Sequence, residues 1–181
     1  RSELEGKVMT VRGPIDADAL GITLPHEHIF MYHTPPELVL LDPVVAAEEV
    51  AKFGEAGGGT IVELTGLGAV LRRNPAGLRK VSEQTGVQIV MGTSYYKQEW
   101  LPEDIAERSV DSIADEVVRD VTEGSDDSGV RAGIIGEVGI GTMTQDEEKV
   151  LQASGRAQRA TGAAINIHFE MSAPQEHRMR G

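Results

Sequence analysis

The sequence predicts an α/β protein built on a parallel sheet, and three observations carry that expectation. Short continuous apolar runs alternate along the chain with stretches whose apolar residues recur at helical spacing. The joints between them are short and marked by glycine, proline and asparagine. The composition, with 40% hydrophobic residues, 21 glycines and 4% aromatics in 181 residues, suits one ordinary domain with many tight strand–helix joints. Continuous apolar strands flanked by amphipathic helices imply a sheet covered on its faces. An open doubly wound sheet and a (β/α) barrel both meet that requirement.

The elements follow in order. Residues 8–11 read as a short strand, and GPIDADALG after them as a turn. Residues 22–26 read as the first core strand. Pro43 fits a helix start; Ala46, Ala47, Val50 and Phe53 form its apolar stripe, and GEAGGG stops it. TIVELT, residues 60–65, is a β-branched run and the second core strand. Asn74 and Pro75 open a second helix that Gly86 closes. VQIVMGTS is the third core strand. Residues 103–123 read as one long helix with Ala106, Val110, Ile113, Val117 and Val121 on one face. AGIIGEVG is a fourth strand, TQDEEKVLQASGRAQRATG a fourth helix and AAINIHF a fifth strand. The acidic run from Glu103 to Asp127, broken by Arg108 and Arg119, reads as the solvated face of an outer helix and its loop. The chain thus divides into an N-terminal strand and turn (1–21), a strand-and-helix body (22–171) and an irregular tail (172–181).

Charge and composition narrow the function. The net charge of −12, from 17 basic and 29 acidic residues, repels phosphate backbones and anionic membranes, so neither nucleic acid nor membrane is an expected partner. No apolar stretch approaches the ~20 residues of a membrane span. No signal segment is expected, and the expected location is the cytoplasm. Cysteine is absent, which removes disulfides and thiolate metal sites; any metal must be held by nitrogen and oxygen.

The polar outliers fall at strand ends. His26 and His28 lie two apart at the end of the first core strand. In extended chain, residues i and i+2 share a face, so two imidazoles there can grip one ion. Glu137 follows the apolar GII of the fourth strand, and His168 follows INI in the fifth. In parallel α/β folds the carboxyl ends of the strands form one rim, where sites are built. Singly, each residue has an ordinary reading: a polar strand end, a turn cap, a satisfied buried histidine. Together they make a nitrogen/oxygen set suited to zinc or a similar divalent cation. The other candidate, TGLGAV at residues 65–70, follows a strand as a dinucleotide loop would. It lacks the third glycine and an acidic residue after the next strand, so NAD is not expected.

Three stretches, TVRGPIDADALGITLPHEHIF, TIVELTGLG with RNPAGLRKVSEQTGVQIVMGTSYY, and AGIIGEVG, resemble the phosphotriesterase family of the amidohydrolase superfamily. The likeness runs from about Val8 to His168. It implies the first five units of a (β/α)8 (TIM) barrel carrying a binuclear metal centre at its C-terminal rim. It also implies that His26 and His28 hold the first metal, Glu137 bridges the two, and His168 holds the second. A bridging glutamate resembles the phosphotriesterase-related branch, since many members carry a carboxylated lysine there. Tyr96 falls where the family places an aromatic beside the substrate, although Tyr95 or Tyr96 could equally be a packed loop aromatic. The implied activity is hydrolysis of an ester-like bond in a small-molecule substrate (lactone, carboxyl ester, amide or phosphotriester) by a metal-bound hydroxide.

The chain also departs from the family. A (β/α)8 barrel takes ~250 residues, and this sequence ends before the family's sixth-strand histidine and eighth-strand aspartate. After INIHFE the tail does not continue the family's pattern, and His177 within it reads as solvated. A truncated reading frame, a partial sequence or a frame-shifted tail would each explain this. The expectation is therefore a chain incomplete as a catalyst, holding at most about one metal tightly. Its strand edges, and inner-wall residues such as Ile61, Leu64, Ile89 and Ile134, are expected to lie open. A homodimer or an aggregate would follow. The alternative is a non-catalytic metal- or ligand-binding remnant, or a half-barrel needing a complementary partner.

Overall fold

A computed structural model describes residues 5–32, 39–68, 71 and 73–170. The tail with His177 lies outside them. The chain opens with a hairpin in which β1 (Lys7–Thr10) and β2 (Gly13–Asp16) pair antiparallel, Thr10 opposite Gly13. Residues 13–16 are therefore strand where a turn was expected, and only Ala17–Ala19 forms a 3-10 turn. Gly13 at φ 118° lets the two residues Val11 and Arg12 reverse the chain, and the Thr10 hydroxyl donates to Gly13 O. The hairpin is tied to the body where Val11 N donates to Ile89 O.

Five parallel strands form the body: β3 (Ile22–Glu27), β4 (Gly58–Glu63), β5 (Gln88–Thr93), β6 (Ile134–Ile140) and β7 (Ile165–Phe169). Their spatial order is β3-β4-β5-β6-β7, the order of the chain. A doubly wound sheet reverses direction at a switch point; this one advances strand by strand, as a barrel does. The result is a parallel half-barrel.

Four helices cover it: α1 (Pro43–Glu55), α2 (Pro75–Thr85), α3 (Val110–Thr122) and α4 (Gln145–Thr161). Their ends are specified locally. Asp42 accepts from Val44 N and Val45 N ahead of Pro43, and Asn74 accepts from Gly77 N ahead of Pro75. Thr144 and Glu147 make a reciprocal capping box, and Gly86 and Gly162 close α2 and α4 in the left-handed conformation.

The expected long helix over 103–123 is two pieces. Glu103–Ala106 is 3-10, and Ser109, extended at ψ 158°, caps α3 by accepting from Ser112 N. The break rotates the first piece, so Ile105 is buried and Ala106, assigned to the apolar face, is exposed. The acidic run is not all solvated either. Asp120 is buried, 2.9 Å from Arg73 Nη2, and accepts from the Thr93 hydroxyl at 2.6 Å.

The core lies between sheet and helices. Ile61 and Ile89 belong to one buried cluster with Val50 of α1, Leu78 and Val81 of α2 and Val117 of α3. They pack against helices rather than lining an open wall, because their register places them opposite each other on one face. Leu64 is also fully buried, and of the four residues expected to be open only Ile134 remains half-buried. The edges are another matter. Among the described strands β3 pairs only with β4, and β7 only with β6; Ile22 on β3 is 67% exposed.

Candidate metal centre

Parallel strands deliver their carboxyl ends to one rim, and the polar outliers meet there. His26 lies in β3 and His28 just beyond it; Glu137 is in β6 and His168 in β7. Glu137 is the hub. Its Oε2 lies 3.3 Å from His26 Nε2 and 3.2 Å from His168 Nδ1, and its Oε1 lies 3.5 Å from His28 Nε2. The ligand atoms of His26, His28 and Glu137 all fall within 4.8 Å of one another, and the two imidazoles meet edge to face. His168 touches Glu137 but stands outside that close group.

These contacts are not hydrogen bonds. Glu137 Oε2 is buried and has no hydrogen-bond donor among the described residues, although two imidazole nitrogens approach it. An orphaned buried carboxylate oxygen is costly unless a cation or donor satisfies it. Imidazole nitrogens and a carboxylate converging without N–H···O geometry form a donor set that fits a divalent cation of the zinc type. The electrostatics agree. Burial pushes the Glu137 carboxyl up to about 7, against the pull of nearby Lys97. Burial, with Lys97 adding to it, lowers the His168 imidazole and favours its neutral, ligating form.

Tyr96 is placed at the same rim. Its hydroxyl lies 3.0 Å from His168 Nε2, and the two rings meet edge to face at 5.0 Å. It also lines, with His28, Met31, Leu64 and Thr65, a cavity of about 170 Å³ that reaches Glu137. Tyr95 is the packed loop aromatic: it is 4% exposed, donates to Glu116 Oε2 and accepts from Arg108. The backbone makes room for this arrangement. A Cβ on Gly139 would fall 2.5 Å from Tyr96 Cδ2 and from Lys97 N. The glycines of TGLGAV serve packing too. Leu67 N donates to Ser94 O, and a Cβ on Gly66 would lie 2.6 Å from the same carbonyl. Its described part, at Gly66 and Leu67, is thus packed against Ser94 at the end of β5.

Two residues at the site escaped the sequence reading. Glu63, at the end of β4, is fully buried, and its Oε1 accepts from the Thr65 hydroxyl, which lies 3.0 Å from His28 Nδ1. Burial pushes the Glu63 carboxyl up to about 7, against the hydrogen bond from Thr65. The signal was available: a glutamate inside the β-branched run TIVELT is a charge placed in a buried strand.

Comparison with known proteins now decides the lineage. The family model described as Phosphotriesterase family matches residues 6–179. The chain belongs to the phosphotriesterase family. Within the curated members of that family, it is 35% identical over 202 residues to the N-acetyltaurine hydrolase of Tetraodon nigroviridis, a match covering 92% of this chain and 57% of that protein. Among solved structures it resembles a resiniferatoxin-binding protein from Rhodobacter sphaeroides, with TM-score 0.86 and 36% identity, covering 97% of this chain and 58% of that one. It also resembles a lactonase from Listeria monocytogenes, with TM-score 0.84 and 25% identity, covering 96% and 60%. The phosphotriesterase-family chain thus spans a little over half the length of the relatives it matches.

Proposed function

We propose that this chain is the metal-binding part of a divalent-metal-dependent hydrolase that cleaves an ester-like or amide bond in a small-molecule substrate. The observation that carries the reading is the buried Glu137 side chain, whose Oε2 has no hydrogen-bond donor among the described residues and whose carboxylate is faced by His26, His28 and His168. The relatives support a hydrolytic reaction, one bearing the name N-acetyltaurine hydrolase and another lactonase. Lactones, carboxyl esters, amides and phosphotriesters all fit this first set of ligands.

In this reading His26, His28 and Glu137 hold one zinc ion, and Glu137 with His168 contributes to a second. Bound there, the metal supplies Lewis acidity toward the substrate's carbonyl or phosphoryl oxygen and activates water for attack. Tyr96 fixes the His168 ring through its hydroxyl and walls the cavity in which substrate would sit. The present chain holds at most about one zinc equivalent tightly, because a catalytic zinc site takes three protein ligands and only the first set reaches that number. Metal analysis after dialysis tests this: wild type should retain zinc and His26→Ala should lose it. Equal zinc in both would sink the assignment.

A second reading is favoured by a separate observation. An apolar hollow of about 460 Å³ lies between α1 and β3, lined by Leu24, Val45 and Phe53, with Leu40 and Leu41 on its exposed side. Among the described strands, β3 is paired on one side only. In this reading the half-barrel is completed by further β/α structure or by a second copy of the chain at that edge. Sedimentation velocity separates the cases: a compact, cooperatively melting monomer at micromolar concentration would refute pairing through the edge.

A further inference from the structure

We infer that Glu63 and Thr65 are positioning residues that fix the tautomer and orientation of His28. The inference rests on the metal reading of His28 but concerns residues outside the ligand set. Glu63 and Thr65 are 0% and 1% exposed, so neither is there to meet solvent. Thr65 has one hydroxyl proton. When Glu63 is ionised it can only accept, so Thr65 donates that proton to Glu63 Oε1, which leaves only lone pairs on Oγ1 for His28 Nδ1 at 3.0 Å. In that state His28 Nδ1 carries the ring proton and donates it. The ring's other nitrogen, Nε2, is then the basic one, and it is the nitrogen aimed at Glu137 Oε1.

The polarity runs one way, from imidazole to hydroxyl to carboxylate. Its acidic end is anchored by burial and its other end is the rim. A ligating histidine commonly donates its second N–H to a carboxylate or carbonyl, which fixes the ring and raises the basicity of the ligating nitrogen. Here a threonine is interposed because the carboxylate sits two residues back along the same segment, at the end of β4. His26 has no corresponding hydrogen bond among the described residues, and its side chain is 39% exposed against 24% for His28. The two histidines are therefore unequal: His28 is held, and His26 is placed by its backbone and by the metal.

The test uses the full chain labelled with ¹⁵N-histidine and stripped of metal, with His28→Gln to assign the resonances. At about pH 8, where Glu63 is ionised and the imidazole neutral, long-range ¹H–¹⁵N spectra should show His28 protonated at Nδ1 in wild type. Thr65→Val, which keeps the shape and removes the hydroxyl, should abolish that preference, and Thr65→Ser should restore it, while the His26 signals stay unmoved. Cobalt(II) titration, read by its visible absorption, should show a 10–100-fold weaker site in Thr65→Val, rescued in Thr65→Ser. An unchanged His28 tautomer in Thr65→Val would overturn the inference whatever the metal does. Cobalt binding absent from wild type, with the tautomer effect intact, would refute the metal reading and uphold the relay.

Discussion

Asp120 offers the sharpest test of how the rim is held together. Of the four carboxylates on α3 it is the only one buried; its side chain is 9% exposed and that of its partner Arg73 is 6%. Arg73 also donates to Gly92 O at 3.0 Å and Ser125 Oγ at 3.1 Å, and Thr93 donates to Asp120 Oδ2 at 2.6 Å. The cluster therefore clamps the end of β5, just before Ser94, Tyr95 and Tyr96, onto α3. Asp120→Ala leaves a buried guanidinium without its ion-pair partner, which costs roughly 3–5 kcal/mol. For a domain of this size that is a fall of roughly 6–20 °C in melting temperature. Asp120→Asn keeps the volume and one acceptor, so it isolates the charge and should cost most of the same. Urea unfolding followed by circular dichroism gives both values. Arg73→Met combined with Asp120→Leu should recover part of the loss, since no lone charge remains, though Gly92 O and Ser125 Oγ lose their donor. A cost below about 1 kcal/mol for Asp120→Ala, the range of an exposed pair, would refute the clamp.

Three further outcomes are open to measurement. The Glu63 carboxyl is raised from 4.5 to about 7, so the folded state keeps its proton longer than the unfolded one. Its stabilising contribution is complete below pH 4.5 and is lost as pH rises to about 7. Metal-free wild type should lose about 2 kcal/mol more than Glu63→Gln between pH 5.5 and 8, and parallel pH profiles would refute the raised value. Gly139→Ala places a Cβ 2.5 Å from Lys97 N and 2.8 Å from Tyr96 C, so overpacking of about 1–3 kcal/mol should appear in denaturant unfolding; a neutral substitution would show that the loop is not seated against β6 as described. The chain alone should give no zinc-dependent turnover of lactones, aryl esters or paraoxon-like triesters, and a rate abolished by Glu137→Gln would overturn that expectation.

Much of the fold was legible because the sequence states it locally. Asn74, Pro75 and Gly86 bound α2 by chemistry that does not depend on the rest of the molecule, and Thr144 with Glu147 does the same for α4. The rim histidines were legible for a similar reason: a polar residue after an apolar strand is conspicuous, and parallel topology sends all such ends to one side. What was not legible depended on long-range partners. Residues 13–16 become strand only because β1 folds back to pair with them, and no short-range pattern announces a hairpin partner with Pro14 inside it. The break at Ser109 is a choice between continuing an apolar stripe and capping a new helix, and periodicity alone favoured the first.

Charge was the least legible property, and Asp120 and Glu63 show why. Both are acidic residues whose sequence neighbours gave opposite hints: Asp120 sits in an acidic run and reads as solvated, while Glu63 sits inside the β-branched run TIVELT. Their roles come from residues far along the chain. Arg73 lies 47 positions before Asp120, and His28 lies 35 before Glu63, with Thr65 joining the two. Neither carboxylate could stay buried without those partners. Both also sit next to rim segments, one behind the β5 end that carries Tyr96 and one behind His28. Each buried carboxylate thus reaches the rim through a side-chain contact made within the described half-barrel, Asp120 through Arg73 and Thr93 and Glu63 through Thr65, so the shape these contacts give the rim does not depend on a closed ring of strands.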